Sequence, residues 1–564
     1  MTTKAATTKA ATKTYSIFGA GAAGLYTAWR LLDGEAKDAA GRRKLLAKGD
    51  TLELFDWGQY DFSRRHPGTR AAGARVCTWH YQNDPKNSYL ELGGMRYSEW
   101  DGTPQGQGHR LVTTVIAKLD LDKDSVPFNE STNPLFYLRA KNLFLGDISS
   151  SNPAPYNVDH YGAAAPPDNG FAIVENLAVT ADSGPQTRRQ WCEFFQNGRI
   201  TADTGDGSVF QKGDRLSDIG YWNLMFDQLG GEGFNYTADG NGYTSNVINW
   251  NTAVALNANN EFTPGNEYRT LTHGYSSMFN ALFDAVEKLA KAKGVRLDYQ
   301  PNTRLHSILH DDGKVHYTLA TRAQPNKASA KHTSDAAWLA MPPAALELVA
   351  QATRYVEHAG LDVLNHEKVQ LFMEAAVLQP SYKVGMFFHD PWWMQATYAP
   401  QLTGYEITDD VLRTLAAQKF PAAWIKAIKA GGLVEKPFAS AAALVDAVQA
   451  CTKERLSIVQ EQTLLQVAER NTIGPSVTDL PIRQVVYFGH NAPDPKAPKV
   501  YGILASYDDE TFTSFWHELE LGSESERKVP DSANLQTLVG PRKAPAVMVK
   551  MLRKQLASVH FGPQ

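Results

Sequence analysis

The sequence is short of cysteine. Cys77, Cys192 and Cys451 are scattered through 564 positions, and none of them stands in a CxxC spacing. That argues against a disulfide framework and against a zinc site. Neither sign of charge dominates: 56 Lys and Arg stand against 60 Asp and Glu, a formal net charge of −4. No global basic field favours nucleic acid, and no polybasic block favours an anionic membrane surface. No apolar run reaches membrane-spanning length, and the mean hydropathy is −0.37. The opening MTTKAATTKAATK lacks the apolar centre of a secretory signal. Residues 1–13 are therefore expected to form a disordered tail on a cytoplasmic protein. No internal repeat is present. What remains is ordinary globular material, 43% hydrophobic and 21% charged, long enough for several domains.

The first patterned segment is TYSIFGAGAAGLYTAWRLL. It reads as an apolar strand over 15–18, a glycine turn, and a helix running to residue 32. A polar stretch, DGEAKDAAGRRKLLAKGD, reads as an inserted loop or helix extension. A second strand over 51–55 follows and is closed by Asp56. Strand, turn, helix and strand in that order open a parallel α/β sheet. Further on, helical spacing covers 276–293, and VRLDYQ reads as a strand. LHSIL and KVHYTLA read as a strand pair around Asp311-Asp312-Gly313. AAWLAMPP reads as a buried strand ending at Pro342-Pro343. One long helical stretch is expected between Ala416 and Ala468, and another helix from Met548 to Val559. Residues 149–170 and 230–265, dense in Gly, Asn and Pro, read as surface excursions of a middle segment.

Gly19, Gly21 and Gly24 form G-A-G-A-A-G between the first strand and helix. In that pattern one glycine makes the tight turn, one lets the backbone approach a pyrophosphate, and one lets helix pack on strand. The helix N-terminus, here Ala22 and Ala23, then turns its positive dipole end to the phosphates. An acid at the end of the second strand takes the ribose hydroxyls. Asp56 stands there, 37 residues beyond Gly19; without the polar insert the spacing falls near the expected ~20. Glu53 competes but lies inside the strand. Together these elements favour dinucleotide binding over a chance glycine cluster.

Two further motifs follow. In Gly73-Ala74-Arg75 a small pair precedes an arginine, which allows backbone and guanidinium to lie against a phosphate; alone it is equally a surface arginine. In ELGGMRY, Gly93 and Gly94 permit close approach to a flat ring, next to Met95. Arg96 can reach a carboxylate in bidentate fashion. The alternative is a β-bulge with a salt-bridged arginine.

In this order the segments resemble the flavin-containing amine oxidases, and within them the L-amino-acid oxidases. Later segments extend the likeness to about Trp516: LTHGYSSMFNAL, NTRLHSI, AMPPAAL, SYKVGMFFHDPWW, GPSVTDLPIRQVVYFG and LASYDDETF. The resemblance implies an α/β protein with FAD as cofactor. It would have a Rossmann-like FAD-binding domain (14–100 and 268–345) and a discontinuous α+β substrate-binding domain (101–130 and 346–564). An inserted helical segment (131–267) would complete this amine-oxidase fold. By the same likeness Gly19, Gly21, Ala22, Ala23, Gly24, Asp56, Gly73, Ala74, Arg75, Gly93, Gly94, Met95 and Arg96 bind FAD, and Leu305 meets its adenine through the backbone. Arg96 and Tyr507 grip the substrate carboxylate, and Lys383 holds a water near the flavin. No metal is implied.

The implied reaction takes an L-amino acid and oxygen to a 2-oxo acid, ammonia and hydrogen peroxide. An L-amino-acid 2-monooxygenase, which forms an amide, stays open on the same fold. Trp392 and Trp393 are read as core, and His109, His273 and His389 as structural. The family's flavin-covering segment, a GD- or GE-type stretch and a Gly-Trp helix, has no counterpart after Asp509. A second chain supplying it, or a non-catalytic fragment or subunit, therefore stays open as well. A homo-oligomer is expected, since dimers are common among such relatives.

Overall fold

The computed structural model of the protein describes residues 12–33, 46–58, 75–100, 102, 108–128, 133–158, 164–178, 185, 187–247, 250–259, 268–356, 360–376, 378–395, 405–438, 441–468, 474–494, 496–520 and 543–562. Gly73, Ala74, most of the polar insert after residue 33 and most of the N-terminal tail lie outside the described residues. Strand β1 (Thr14–Phe18) leads through the glycine turn into helix α1 (Ala22–Asp33), and β2 (Thr51–Phe55) follows. Both strands belong to a four-stranded parallel sheet. Its order is Arg296–Gln300, β2, β1, Ala336–Leu339. Two of the four strands come from the first 55 residues and two from residues 296–339.

Helix α1 buries Leu25, Ala28, Leu31 and Leu32, a stripe at helical spacing. It packs on the helix Ser277–Lys293, which turns Met278, Phe279, Leu282, Phe283 and Val286 to the same core. Each such side chain contributes about 1.5–3 kcal/mol on burial. The antiparallel pair Thr303–Asp311 and Lys314–Thr321 turns at Asp312 and Gly313, both at positive φ. It covers Phe18 and Phe55, the last residues of β1 and β2.

A second sheet of six strands has the order Ser381–Phe388, Tyr501–Asp509, Gln484–Gly489, Ser476–Thr478, Leu135–Leu138, Lys141–Phe144. The boundary placed at residue 131 cuts across this sheet. Leu135–Phe144 pairs with Ser476–Thr478 and not with the inserted segment. The reason is composition: LFYL is fully buried and needs a sheet on both sides. Trp393 packs with Tyr487 and Tyr501 in this sheet's core, and Trp392 lies against His560, which agrees with their reading as core.

One expectation fails. Residues 230–247 and 250–259, the described part of 230–265, are not mainly a surface excursion. The helix Tyr221–Asn241 runs through them, broken at Gly230 (φ 65, ψ 178), and buries Gly233, Phe234, Tyr236, Thr237, Ala238 and Gly240. Gly240 serves close contact: a Cβ there would lie 2.4 Å from Pro167. The stretch between Ala416 and Ala468 is largely helical, as expected. Four short helices, Asp409–Ala417, Ala422–Ala430, Ala441–Thr452 and Ile458–Ala468, pack their own core around Leu412, Trp424, Leu444 and Leu464. Pro421, Gly431 and Gly432 interrupt the run. Among the described residues, no helix is long and apolar enough to cross a membrane.

Candidate active site

The three glycines of the turn differ in what surrounds them. Gly19 has φ +106, and a Cβ there would lie 2.3 Å from the Ala340 carbonyl oxygen. A Cβ on Gly24 would lie 1.6 Å from the Gly19 carbonyl oxygen, so α1 rests directly on the turn. At Gly21 a Cβ would meet no atom within 4 Å. The crowded glycines shape the turn, and the open one faces space in which a phosphate can approach. Ala22 and Ala23 are exposed on the first turn of α1, where backbone N–H groups lack helical partners.

Asp56 is joined to this turn. One carboxylate oxygen accepts from the Ala20 N–H at 3.2 Å, the other from the Gly58 N–H at 3.1 Å. Burial raises its pKa, against the pull of those N–H groups and of Arg322. Glu53 is engaged elsewhere: its carboxylate accepts from Ser16 and Tyr317, both at 2.6 Å. Of the two acids, Asp56 is therefore the one at the turn. Leu305 is buried against Phe18 and Phe55 and pairs with Leu319. Its strand begins beside the turn, where the Thr303 N–H donates to the Asp56 carbonyl at 2.8 Å.

The other predicted residues meet at a cavity of about 470 Å³. Arg75, Gly93, Gly94, Met95, Arg96, Lys383 and Tyr507 all border it. Lys383 and Tyr507 face each other across paired strands. The Lys383 Nζ lies 4.2 Å from the centre of the Tyr507 ring and donates to the Gly93 carbonyl at 2.5 Å. The Arg96 guanidinium lies 4.5 Å from the Tyr268 ring and 5.5 Å from that of Phe128. Such stacking holds the plane of a guanidinium. Among the described lining residues three are cationic and none carries a carboxylate. The site suits an anionic group.

The glycine pair is packed closely by the chain itself. A Cβ on Gly93 would lie 2.6 Å from the Arg75 carbonyl oxygen and 2.8 Å from the Cys77 nitrogen. The chain's own backbone, running alongside at 75–77, demands the first glycine. A Cβ on Gly94 would lie 3.3 Å from the Tyr275 ring. His109, His273 and His389 do not border the cavity.

Burial pushes the Lys383 ammonium down from 10.5 to about 7; Glu91 opposes the shift and Arg96 adds to it. Its proton is therefore exchangeable near neutrality. Burial holds the Cys77 thiol up at about 12, so it stays protonated and is no nucleophile. Glu91 is buried, with N–H and O–H donors from Tyr275 at 2.7 Å and Thr78 at 2.8 Å. Burial still carries it from 4.5 up to about 8. Between those values the unfolded chain binds fewer protons than the folded one, so Glu91 makes stability fall as pH rises. Glu91→Gln is expected to flatten the thermal midpoint over that window, read by melts across pH. An unchanged slope would assign it to another group.

Sequence reasoning missed Tyr243, Ser245 and Asn246, which also line the cavity. They follow the helix Tyr221–Asn241 in a stretch read as surface, and no local pattern marks them.

Comparison with known proteins adds little. No protein-family model matches the chain, and no curated protein matches it. Among solved structures the chain is similar to a protein from Exiguobacterium sp. described as "Putative protoporphyrinogen oxidase". The TM-score is 0.41 at 10% identity, over 98% of this chain and 92% of that one. A likeness at that level assigns no activity to this chain.

Proposed function

We propose that the protein is an FAD-dependent oxidase of L-amino acids. One observation carries this reading: Arg96, Lys383 and Tyr507, from distant parts of the chain, border one cavity with Gly93 and Gly94. The overall reaction takes an L-amino acid, oxygen and water to a 2-oxo acid, ammonia and hydrogen peroxide. FAD, when bound, would supply the electron chemistry, accepting a hydride from the substrate Cα and passing the electrons to oxygen. The residues at the turn fit that cofactor. Gly19, Gly21 and Gly24, the N-terminus of α1 and Asp56 would hold its dinucleotide half.

The chain's own residues do the remaining work. Arg96 binds the substrate carboxylate with charge-assisted hydrogen bonds, and Tyr507 adds a phenol. The pair orients the α-carbon, which in well-aligned sites removes several kcal/mol of barrier. Lys383 holds a water and accepts or returns a proton at Nζ near neutral pH. Arg75, at the cavity rim, adds positive potential.

The products test the reading. The L-isomer, not the D-isomer, is expected to give 2-oxo acid, ammonia and peroxide in equal amounts. An amide in their place would make the protein a 2-monooxygenase. Cofactor affinity tests the turn. Asp56→Asn removes a charged acceptor, which costs about 1.5–3 kcal/mol. FAD affinity is then expected to fall at least about tenfold, read by flavin fluorescence titration of the stripped protein. Unchanged affinity would remove Asp56 from the cofactor site.

A further inference from the structure

The strand that carries Tyr507 also holds the cavity-lining segment around Tyr243. Asp509 lies two residues beyond Tyr507, and alternate residues of a strand share a face. One Asp509 oxygen accepts from the Thr244 N–H at 3.0 Å. The other accepts from the Ser245 N–H at 2.9 Å and the Ser245 hydroxyl at 2.5 Å. Gln484, the cross-strand partner of Tyr507, donates to the Gly242 carbonyl at 3.2 Å. Gly242 ends its helix at φ +79, packed so closely on Gln484 that a Cβ would lie 2.8 Å from the side chain. The backbone is thus pinned on both sides of Tyr243. Its ring meets that of Tyr507 edge-on, with centroids 5.3 Å apart and planes at 82°. Both tyrosines border the cavity together with Arg96. Each phenol can donate one hydrogen bond.

We propose that Tyr243 is a substrate-binding residue. Its phenol, beside that of Tyr507, donates to the substrate carboxylate held by Arg96, and Asp509 is the positioning residue that holds Tyr243 there. This rests on the L-amino-acid reading. A guanidinium alone attracts any anion, whereas a phenol fixed at one edge of the carboxylate adds direction. It also brings the segment 243–246 against the substrate, so that Ser245 and Asn246 become the wall nearest its side chain.

The test uses benzoate as a plain carboxylate and benzylamine as a carboxylate-free amine, titrated calorimetrically against the protein as purified. Tyr243→Phe deletes one oxygen. It is expected to weaken benzoate about tenfold, the loss of one hydrogen bond to a charged group. Benzylamine should not respond, and KM for L-amino acids should rise by the same factor while kcat does not. Asp509→Asn should shift benzoate affinity in the same direction. It supplies a second perturbation that leaves both phenols in place. Benzoate binding unchanged in Tyr243→Phe overturns the proposal, and so does equal weakening of benzylamine. If the unaltered protein binds neither benzoate nor L-amino acids, the L-amino-acid reading itself falls. If it binds both and Tyr243→Phe binds them equally, only the role of Tyr243 falls.

Discussion

Lys383→Met is expected to lower turnover with L-amino acids by about two orders of magnitude, within the range of a lost general acid–base group. Methionine fills a similar volume, so the loss is chemical and not steric. The Lys383 ammonium gives up its proton near pH 7. A neutral amine accepts a proton from the water it holds, so activity should rise with pH through that value, and the variant should lose the limb. Oxygen consumption at saturating substrate, followed from acid to alkaline pH, reads both effects. A variant that keeps the limb would assign it to another group. Stability should move as well. Between about 7 and 10.5 the unfolded chain binds more protons than the folded one, because burial lowers the folded-state value. The protein therefore gains stability as pH rises through that window, and Lys383→Met abolishes the gain.

Arg96→Ala should raise KM for L-amino acids by about two to three orders of magnitude. Truncating one partner of a close charged pair costs about 2–5 kcal/mol, much of it from the other charge left unpaired. Arg96→Lys should restore only part of the loss. An ammonium keeps the charge but lacks the planar fork that stacks between Tyr268 and Phe128. Steady-state kinetics with one L-amino acid and its amide separate this from a general weakening. The amide, lacking the carboxylate, should respond far less to either variant. An unchanged KM in Arg96→Ala would remove the arginine from substrate binding.

The parts of the site legible in the sequence are those whose chemistry is local. The glycine turn places three glycines within six residues, and each answers to a steric fact of β1, α1 or the open side of the turn. Asp56 was legible because it closes an apolar strand that pairs with β1. Gly93 was legible as a position of close approach, but not the backbone of Arg75 and Cys77 that it approaches. Arg96, Lys383 and Tyr507 carried no signal from spacing; only the order of the surrounding motifs marked them. Tyr243 had neither. Its place depends on bonds such as that from the Ser245 N–H to Asp509, across 264 residues, which no local pattern encodes. The same holds for the helix Tyr221–Asn241. Its glycines look like loop residues until Pro167 packs against Gly240.

The central claim is that this cavity oxidises L-amino acids with a flavin. An anaerobic visible spectrum of the purified protein, before and after a mixture of L-amino acids, tests it directly. The expected result is a pair of flavin bands that bleach on addition and return when oxygen is admitted. Flavin bands that stay unbleached by every L-amino acid, or a protein that takes up no flavin at all, would contradict it.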